Sequence, residues 1–216
     1  MLHKKQQQSL SAGIEQLALE IPQNGLTAIE AHLGLVQRWQ SKINLISTSN
    51  DQELITHHGL DSLAVLPLFK GAKNVLDFGT GAGFPGMPLA AAMPDTHFTL
   101  LDSRGRRVEF LRMVAVQIGL KNVELVSARV EQFVPEADIQ YDTLVVRAVA
   151  SLLDLVDMTN NLRCKGQRLI AMKGQYPQAE LDALGVKYAD QIVSIDVKPI
   201  HVPFLDAERH AVIIQF

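Results

Sequence analysis

The sequence has few of the residues that mark disulfide-rich, metal-binding or membrane-spanning proteins. Its 216 residues include one cysteine, Cys164, so neither a disulfide nor a cysteine-rich zinc site can form within the chain. No apolar run approaches the ~20 residues that cross a bilayer, and the first residues, MLHKKQQQSL, lack the apolar core of a secretion signal. We therefore expect a cytoplasmic protein that has no metal site and no membrane partner.

An excess of charge of either sign is also missing. The chain has 20 Lys and Arg against 23 Asp and Glu, a net charge of −3, which argues against holding nucleic acid by bulk electrostatics but permits a local basic face. Hydrophobic residues make up 47% of the chain, enough for one substantial core without disulfides. One compact α/β unit is the expectation, and a monomer is the default assembly.

The central feature of the sequence is the segment Asn74–Gly86, NVLDFGTGAGFPG. It begins as a short apolar run, which is typical of a buried parallel strand, and continues into three alternate glycines, Gly79, Gly81 and Gly83. Glycine can adopt positive φ and lets a ligand approach the main chain, while the helix that follows offers free N–H groups. The pattern predicts a ligand-binding loop between a strand and a helix.

Two classes of ligand fit this loop, and Asp77 discriminates between them. The frame Gly81–Gly86 matches the G-x-G-x-x-G dinucleotide fingerprint, but a carboxylate just before Gly79 would repel a pyrophosphate. Asp77 suits a cationic ligand, and S-adenosylmethionine carries an ammonium and a sulfonium. D-x-G-x-G-x-G after a first strand resembles the cofactor loop of class I methyltransferases. A nicotinamide-dependent oxidoreductase and a glycine-rich turn without a ligand remain as alternatives.

A second acidic residue supports an adenosine-containing ligand. The run His97–Asp102 is predicted to be the next strand, and its final carboxylate follows Gly83 at the spacing that a crossover helix requires. Asp102 can accept hydrogen bonds from both ribose hydroxyls. The alternative is that Asp102 caps the helix that follows.

The remaining elements alternate as in a parallel α/β sheet. The first seventy residues are predicted to be helical, with amphipathic helices over Leu26–Ile43 and Leu54–Phe69. Further helices are predicted over Val108–Ile118, ended by Gly119, and over Leu152–Leu162. Later strands are predicted at Val123–Val126, Thr143–Val146 and Arg168–Met172, with an antiparallel closing pair at Gln191–Val197 and Ala211–Phe216.

Charged residues follow several of these strands. Because ligands of open parallel sheets bind at the carboxyl ends of the strands, we expect one cleft to be lined by Asp77, Asp102, Glu131, Arg147 and Lys173. Four arginines, Arg104, Arg106, Arg107 and Arg112, crowd one helix start, where cations oppose the helix dipole. They suggest an anionic partner, although solvated surface arginine is the alternative.

Short segments found in the same order throughout the chain resemble one family. They are KINLIS, HHGLDS, GTGAGFPG, LLDSRGRRVEFLR, SARVEQF, VVRAVASL, MKGQ and ERHAVII. They resemble the ribosomal RNA small subunit methyltransferase G family, also called RsmG or GidB, from about Trp39 to the C-terminus. Ala82 stands where many members carry proline.

The resemblance implies a fold, an activity and a set of contacts. The implied fold is a class I methyltransferase, a Rossmann-like seven-stranded mostly parallel sheet at residues 71–216, with residues 1–70 as a helical extension packed on it. The implied reaction moves a methyl group from S-adenosylmethionine to N7 of a guanine in 16S ribosomal RNA, near the decoding region. The substrate is then the RNA or the small ribosomal subunit. The implied cofactor contacts are Gly79, Phe84, Val130, Glu131 and Arg147.

Reasoning from the residues adds roles to that set. Asp77 is predicted to favour the cofactor ammonium, Gly79, Gly81 and Gly83 to admit the methionine end, and Asp102 to hold the ribose. Arg147 is expected to pair with the cofactor carboxylate or an RNA phosphate, with a surface ion pair as the alternative. Candidates for RNA contact are Arg106, Arg107, Arg129, Lys173 and Arg209.

The sequence also bears on the reaction class. Methylation at pyrimidine C5 needs a cysteine nucleophile, and Cys164 falls at a predicted helix end. Methylation of exocyclic amines commonly uses an Asn/Asp-Pro-Pro-aromatic element, and Val146-Arg147-Ala148 stands in its place. Guanine N7 has an in-plane lone pair and needs no base, so no catalytic acid or base is predicted. A small-molecule or protein methyltransferase remains open, because fold does not fix the acceptor. A non-enzymatic RNA-binding module fits poorly.

Overall fold

A computed structural model describes residues 2–47, 50–136 and 139–216, and its centre is a seven-stranded sheet in the order β3-β2-β1-β4-β5-β7-β6. The strands are β1 (Asn74–Phe78), β2 (His97–Asp102), β3 (Val123–Ser127), β4 (Thr143–Arg147), β5 (Arg168–Lys173), β6 (Ser194–Pro199) and β7 (His210–Gln215). The helices before the sheet are α1 (Lys4–Gln16), α2 (Gln23–Ile43), α3 (Asp51–Glu53) and α4 (Asp61–Ala64). The helices within the sheet region are α5 (Gly86–Ala92), α6 (Gly105–Ile118), α7 (Leu152–Met158) and α8 (Gln178–Lys187).

Strand pairing confirms the predicted mostly parallel sheet. β1 pairs in parallel with β2 and β4, β2 with β3, and β4 with β5, whereas β7 is antiparallel to both β5 and β6. The carboxyl ends of β1 to β5 therefore meet at one edge, which we call the carboxyl edge. The strand-to-helix loops that usually carry binding residues are gathered there.

Several predicted boundaries differ from the observed ones, and two of the differences fall in hydrogen-bonded turns. The helix predicted to reach Leu162 ends at Met158, because the Thr159 hydroxyl donates back to the Leu155 carbonyl and the chain enters hydrogen-bonded turns. The strand predicted from Gln191 starts at Ser194. The N–H groups of Gln191 and Ile192 donate to the Tyr188 carbonyl and extend the turn after α8.

The predicted helix Leu54–Phe69 is not one regular helix. The Asn50 side chain accepts from the Gln52 N–H at 2.9 Å and starts α3, as the sequence indicates. A π-helical segment, Leu54–Leu60, joins α3 to α4, and a 3₁₀ turn over Leu66–Phe69 follows. The proline in that last turn cannot donate a helical hydrogen bond, which accounts for the early end of α4.

The helices that precede the sheet share its main hydrophobic core. Leu33 and Val36 of α2 are fully buried in the same cluster as Leu89 of α5 and Leu111 of α6. Helix α1 packs on the π-helical segment, where Leu10 and Leu60 are both inaccessible to solvent. Within the described residues, no helix combines the length and hydropathy needed to cross a bilayer.

Where α2 packs on α5, the backbone of Gly25 lies so close to a carbonyl oxygen of α5 that only glycine fits. A Cβ at Gly25 would lie 2.3 Å from the Ala91 carbonyl oxygen. We expect Gly25→Ala to reduce the free energy of unfolding by ~1–3 kcal/mol, because a backbone group must move to admit the methyl. Chemical denaturation measures the change.

Gly185→Ala is the matched control, because a Cβ at this exposed position of α8 meets nothing within 4 Å. It should stabilise the protein by ~0.5–1 kcal/mol through helix propensity. Equal stability changes in the two variants would show that the tight contact at Gly25 is not important.

Candidate active site

The predicted glycine loop connects β1 to α5 at the carboxyl edge. Gly79, Gly81 and Gly83 all adopt positive φ, of 70°, 61° and 92°. A Cβ at Gly83 would lie 2.5 Å from Cγ of Met87 and 2.9 Å from Cδ2 of Leu111, so the loop can reach its place against α5 and α6 only with glycine there. The Gly79 N–H donates to the Leu101 carbonyl at 2.7 Å and fixes the loop to β2.

Asp77 lies beneath the loop and is fully buried. Its Oδ2 accepts from the Thr80 hydroxyl at 2.6 Å and from the Gly86 N–H at 2.8 Å, at the first residue of α5. Burial raises the pKa of this carboxyl to about 6 despite both hydrogen bonds. Its Oδ1 has no hydrogen-bond partner among the described residues. Near pH 7 the group is mostly ionised and places negative charge directly under the loop.

Asp102 connects the loop to the start of α6. Its Oδ2 accepts from the Gly81 N–H at 2.9 Å, and its Oδ1 accepts from the Arg104 N–H at 2.8 Å. Nη1 of Arg107 lies 3.6 Å from Oδ2. Asp102 therefore does not cap α6, whose N-cap is Arg104 without a side-chain cap hydrogen bond; it holds the turn before that helix and contacts the glycine loop. A carboxylate has about four acceptor sites, so neither contact prevents further hydrogen bonds.

A cleft of about 540 Å³ opens at the carboxyl edge beside the loop. Six predicted site residues line it: Gly79, Gly81, Phe84, Arg147, Lys173 and Arg209. The opposite wall comes from the part of the chain before the sheet, through Leu45 and Ile46 after α2, Glu53 of α3 and Asp61 of α4 among others. The cleft therefore lies between the sheet and the region that precedes it.

Arg147 joins the sheet to the opposite wall of the cleft. Its guanidinium donates to the His57 carbonyl at 2.7 Å and to Oδ2 of Asp61 at 3.0 Å, and lies 5.5 Å from the centre of the Phe84 ring. Oδ1 of Asp61 accepts from Nε of Arg209 at 2.9 Å. Asp61 is buried, so this three-residue network is a partly buried clasp, unlike a simple surface ion pair.

Two histidine rings pack against the Phe84 ring. The rings of His32 and His58 lie 4.9 and 5.0 Å from it, and Nε2 of His32 is 2.8 Å from the Ala82 carbonyl oxygen. Burial lowers the pKa of His32 to about 4. Burial and then the charge of Arg147 lower the pKa of His58 to about 3. Both rings are neutral near pH 7, so they pack against the loop as uncharged groups.

Of the five residues expected to line one cleft, Arg147 and Lys173 do so, whereas Asp77, Asp102 and Glu131 lie outside its lining. Asp77 and Gly83 are buried beneath the loop, and Val130 is buried in a 3₁₀ turn after β3 that leaves Glu131 exposed. Among the RNA candidates, Arg106 and Arg129 are exposed, and Arg107 lies on Asp102. Lys173 lines the cleft, but its Nζ donates to Glu180 and to the Ala150 carbonyl at 2.8 and 2.9 Å.

The sequence did not predict Asp61 or His32 as parts of the site. Asp61 binds two arginines that follow it by 86 and 148 positions, and His32 contacts a loop residue 50 positions away. Nothing in the local pattern indicates such pairs. Cys164, expected to be remote from the chemistry, is absent from the cleft lining, and its Sγ lies 4.0 Å from the Tyr141 carbonyl oxygen.

Several solved structures similar to this one are methyltransferases. An O-methyltransferase from Bacillus cereus in complex with SAH aligns with a TM-score of 0.62 at 15% identity, covering 98% of this chain and 100% of that one. The human methyltransferase 10 domain containing protein aligns with a TM-score of 0.59 at 17% identity, covering 87% of this chain and 98% of that one. At this identity the likeness establishes the class I methyltransferase fold alone.

Sequence comparison identifies the family. A protein from Neisseria meningitidis serogroup C (strain 053442) named ribosomal RNA small subunit methyltransferase G is 38% identical, covering 98% of this chain and 99% of the relative. One of the same name from Coxiella burnetii (strain Dugway 5J108-111) is 39% identical, covering 95% and 96%. The GidB family model, described as rRNA small subunit methyltransferase G, matches residues 26–212. The chain therefore belongs to the rRNA small subunit methyltransferase G family.

Proposed function

We propose that the protein transfers a methyl group from S-adenosylmethionine to N7 of a guanine in 16S ribosomal RNA, in the loop near the decoding region. The match of the family model to residues 26–212 carries the proposal, because it joins the methyltransferase fold to a ribosomal RNA substrate. The position of the cleft at the carboxyl edge, beside the glycine loop, supports it.

The residues around the loop suit S-adenosylmethionine. Gly79 and Gly81 line the cleft with their main chain, so the methionine part of the cofactor can approach them closely. Asp102 holds the ribose hydroxyls with its remaining acceptor sites. Val130 and Glu131, in the turn after the neighbouring strand, border the adenine. Phe84 forms part of the cleft wall.

Asp77 favours the cofactor by its charge. Its side chain is fully buried, so it acts on the ammonium through Thr80, whose hydroxyl donates a hydrogen bond to Asp77 and which also lines the cleft. A carboxylate beneath the loop attracts an ammonium and a sulfonium and repels a pyrophosphate. This charge favours a sulfonium donor over the nicotinamide dinucleotides that the G-x-G-x-x-G frame also fits.

The chemistry requires alignment more than proton transfer. When bound, S-adenosylmethionine supplies an electrophilic methyl group on a positively charged sulfur. Guanine N7 carries no proton and attacks with its in-plane lone pair, so no base has to act on it. The cleft walls need only orient the guanine and exclude water. The Arg147–Asp61–Arg209 clasp holds the two walls together. Because one carboxylate is shared by two guanidinium groups, the clasp keeps a net positive charge that can attract RNA phosphates. Arg106, Arg107, Arg129 and Lys173 are the further candidates for phosphate contact.

Two other RNA methylation chemistries fit less well. Cys164 is half-buried and absent from the cleft lining, so the cysteine nucleophile of C5 methylation has no counterpart there. Arg147 and Ala148 occupy the end of β4, where enzymes that methylate exocyclic amines commonly carry an amide or carboxylate clamp. Both observations favour a ring nitrogen as the acceptor.

The first prediction concerns the product. Small ribosomal subunits that lack the modification should accept tritium from labelled S-adenosylmethionine, and nucleoside analysis should recover it as N7-methylguanosine. Subunits that already carry the modification are the control and should accept little label. Label in a different nucleoside would contradict the N7 assignment, and no label in RNA would contradict the proposed function.

The second prediction concerns the ribose contact. Asp102→Ala should weaken S-adenosylhomocysteine binding ~10-fold or more, because a charged acceptor is lost. Calorimetric titration measures the dissociation constant. Asp102→Asn keeps an acceptor for the Gly81 N–H, so its dissociation constant should lie between those of the unsubstituted protein and Asp102→Ala. Asp95→Ala, at an exposed position before β2, is the control. An unchanged constant for Asp102→Ala would remove this residue from the site.

The third prediction follows from the raised pKa of Asp77, about 6. As pH falls from 7 to 5 the carboxyl gains a proton and its attraction for the cofactor is lost, so the dissociation constant for S-adenosylhomocysteine should rise ~5-fold. His32 and His58, with pKa values of about 4 and 3, stay neutral over most of this range.

Asp77→Asn is the matched variant for this test. It should bind weakly at both pH values and show little pH dependence, because its side chain has no charge to lose. If the variant retained the full dependence of the unsubstituted protein, the charge of Asp77 would not be its source.

A further inference from the structure

A second concave surface lies between the end of α2 and the start of α6. Its volume is about 510 Å³, and its apolar floor consists of Trp39, Ile43, Phe110 and Met113. Arg106 and Glu109 stand at its border. We call it the Trp39 groove. It shares no lining residue with the cleft.

The Trp39 groove combines an aromatic surface with cations from two helices. The Trp39 ring is partly exposed and tilted against Phe110, with 6.3 Å between the ring centres. Nζ of Lys42 lies over the Trp39 ring, 4.8 Å from its centre, and Arg106 is exposed on the opposite helix. Glu109 is neutralised by Arg112 at 2.7 Å. Among the described residues, neither Lys42 nor Arg106 forms an ion pair.

This combination matches unpaired RNA better than an apolar protein surface. A base stacks on an exposed aromatic ring while the adjoining phosphates are neutralised by nearby cations, and stacking tolerates any base. A protein with a net charge of −3 needs such a local arrangement to hold a polyanion. An apolar protein partner would leave the two cations without a counter-charge.

Residues that line the groove and residues that line the cleft are close neighbours in the chain. Ile43 forms part of the groove floor, and Leu45 and Ile46, which follow it closely in the chain, line the cleft. On the other helix, Arg107 follows Arg106 and reaches Asp102 at 3.6 Å beneath the glycine loop. A flexible RNA strand that enters the groove would therefore pass near the glycine loop at the cleft.

We propose that the Trp39 groove binds an unpaired segment of the RNA substrate, with one base stacked on Trp39 and phosphates against Lys42 and Arg106. The proposal rests on the proposed function for the identity of the RNA. It assigns to Trp39 a role in substrate affinity and none in cofactor binding.

The chain has one tryptophan, so its fluorescence reports directly on the groove. With S-adenosylhomocysteine held at saturation, titration with a hexanucleotide of adenosines should quench the emission of Trp39. An RNA duplex of equal length is the control and should quench little, because its bases are not free to stack. No quenching by saturating single-stranded RNA, or equal quenching by the duplex, would overturn the proposal.

Variants separate stacking from charge. Trp39→Leu should weaken binding of the hexanucleotide ~10-fold, Trp39→Phe should restore part of the loss, and both should bind S-adenosylhomocysteine as the unsubstituted protein does. Lys42→Ala and Arg106→Ala should each reduce the salt slope of RNA binding by about one. Lys121→Ala, an exposed lysine before β3 at the opposite edge of the sheet, should leave the slope unchanged.

Methyl transfer distinguishes this proposal from the function on which it rests. If the unsubstituted protein methylates small subunits and Trp39→Leu raises the KM with little change in kcat, the groove contributes to substrate binding. Equal KM values for the unsubstituted protein and Trp39→Leu would overturn the proposal that the groove binds RNA, and the proposed function would still stand. If the unsubstituted protein transfers no methyl group, the proposed function fails, and the fluorescence and salt-slope measurements still decide whether the groove binds RNA. Should Trp39→Leu not fold, the two cation variants and the quenching titration decide.

Discussion

A buried carboxylate organises the cofactor end of this protein. Asp77 is inaccessible to solvent, and it holds the glycine loop in place through the Thr80 hydroxyl and the first N–H of α5. Burial of an ionisable group is costly, and the raised pKa of Asp77 is the sign of that cost. In the proposed function the same charge favours a sulfonium donor over a pyrophosphate, so the loop geometry and the choice of ligand would share one cause.

A second buried carboxylate, Asp61, organises the other side of the cleft. It receives Arg147 from the end of β4 and Arg209 from the residue before β7, and so fastens the helices before the sheet to the carboxyl edge. Removing one partner of a buried pair leaves an uncompensated charge and typically costs about 3–5 kcal/mol. The cleft therefore has a wall that is held by electrostatics as well as by the shared hydrophobic core.

The cations differ in whether they are already paired, which bears on the proposed RNA contacts. Arg147, Lys173 and Arg209 are already engaged by Asp61 or Glu180, whereas Lys42 and Arg106 have no such partner among the described residues. We infer that the cations of the cleft position the substrate, and that the Trp39 groove supplies affinity that a net charge of −3 cannot give.

The sequence determined the elements whose signals are local. The strand, glycine loop and helix at Asn74–Gly86, the carboxylate at the end of β2 and the antiparallel closing strands all follow from periodicity and turn residues. Only the tertiary structure decided that Asp61 joins two distant arginines, that His32 supports the loop, and that α2 and α6 form a groove. Those contacts join residues far apart in the chain, and a residue's own neighbours in sequence carry no information about which remote side chain will approach it.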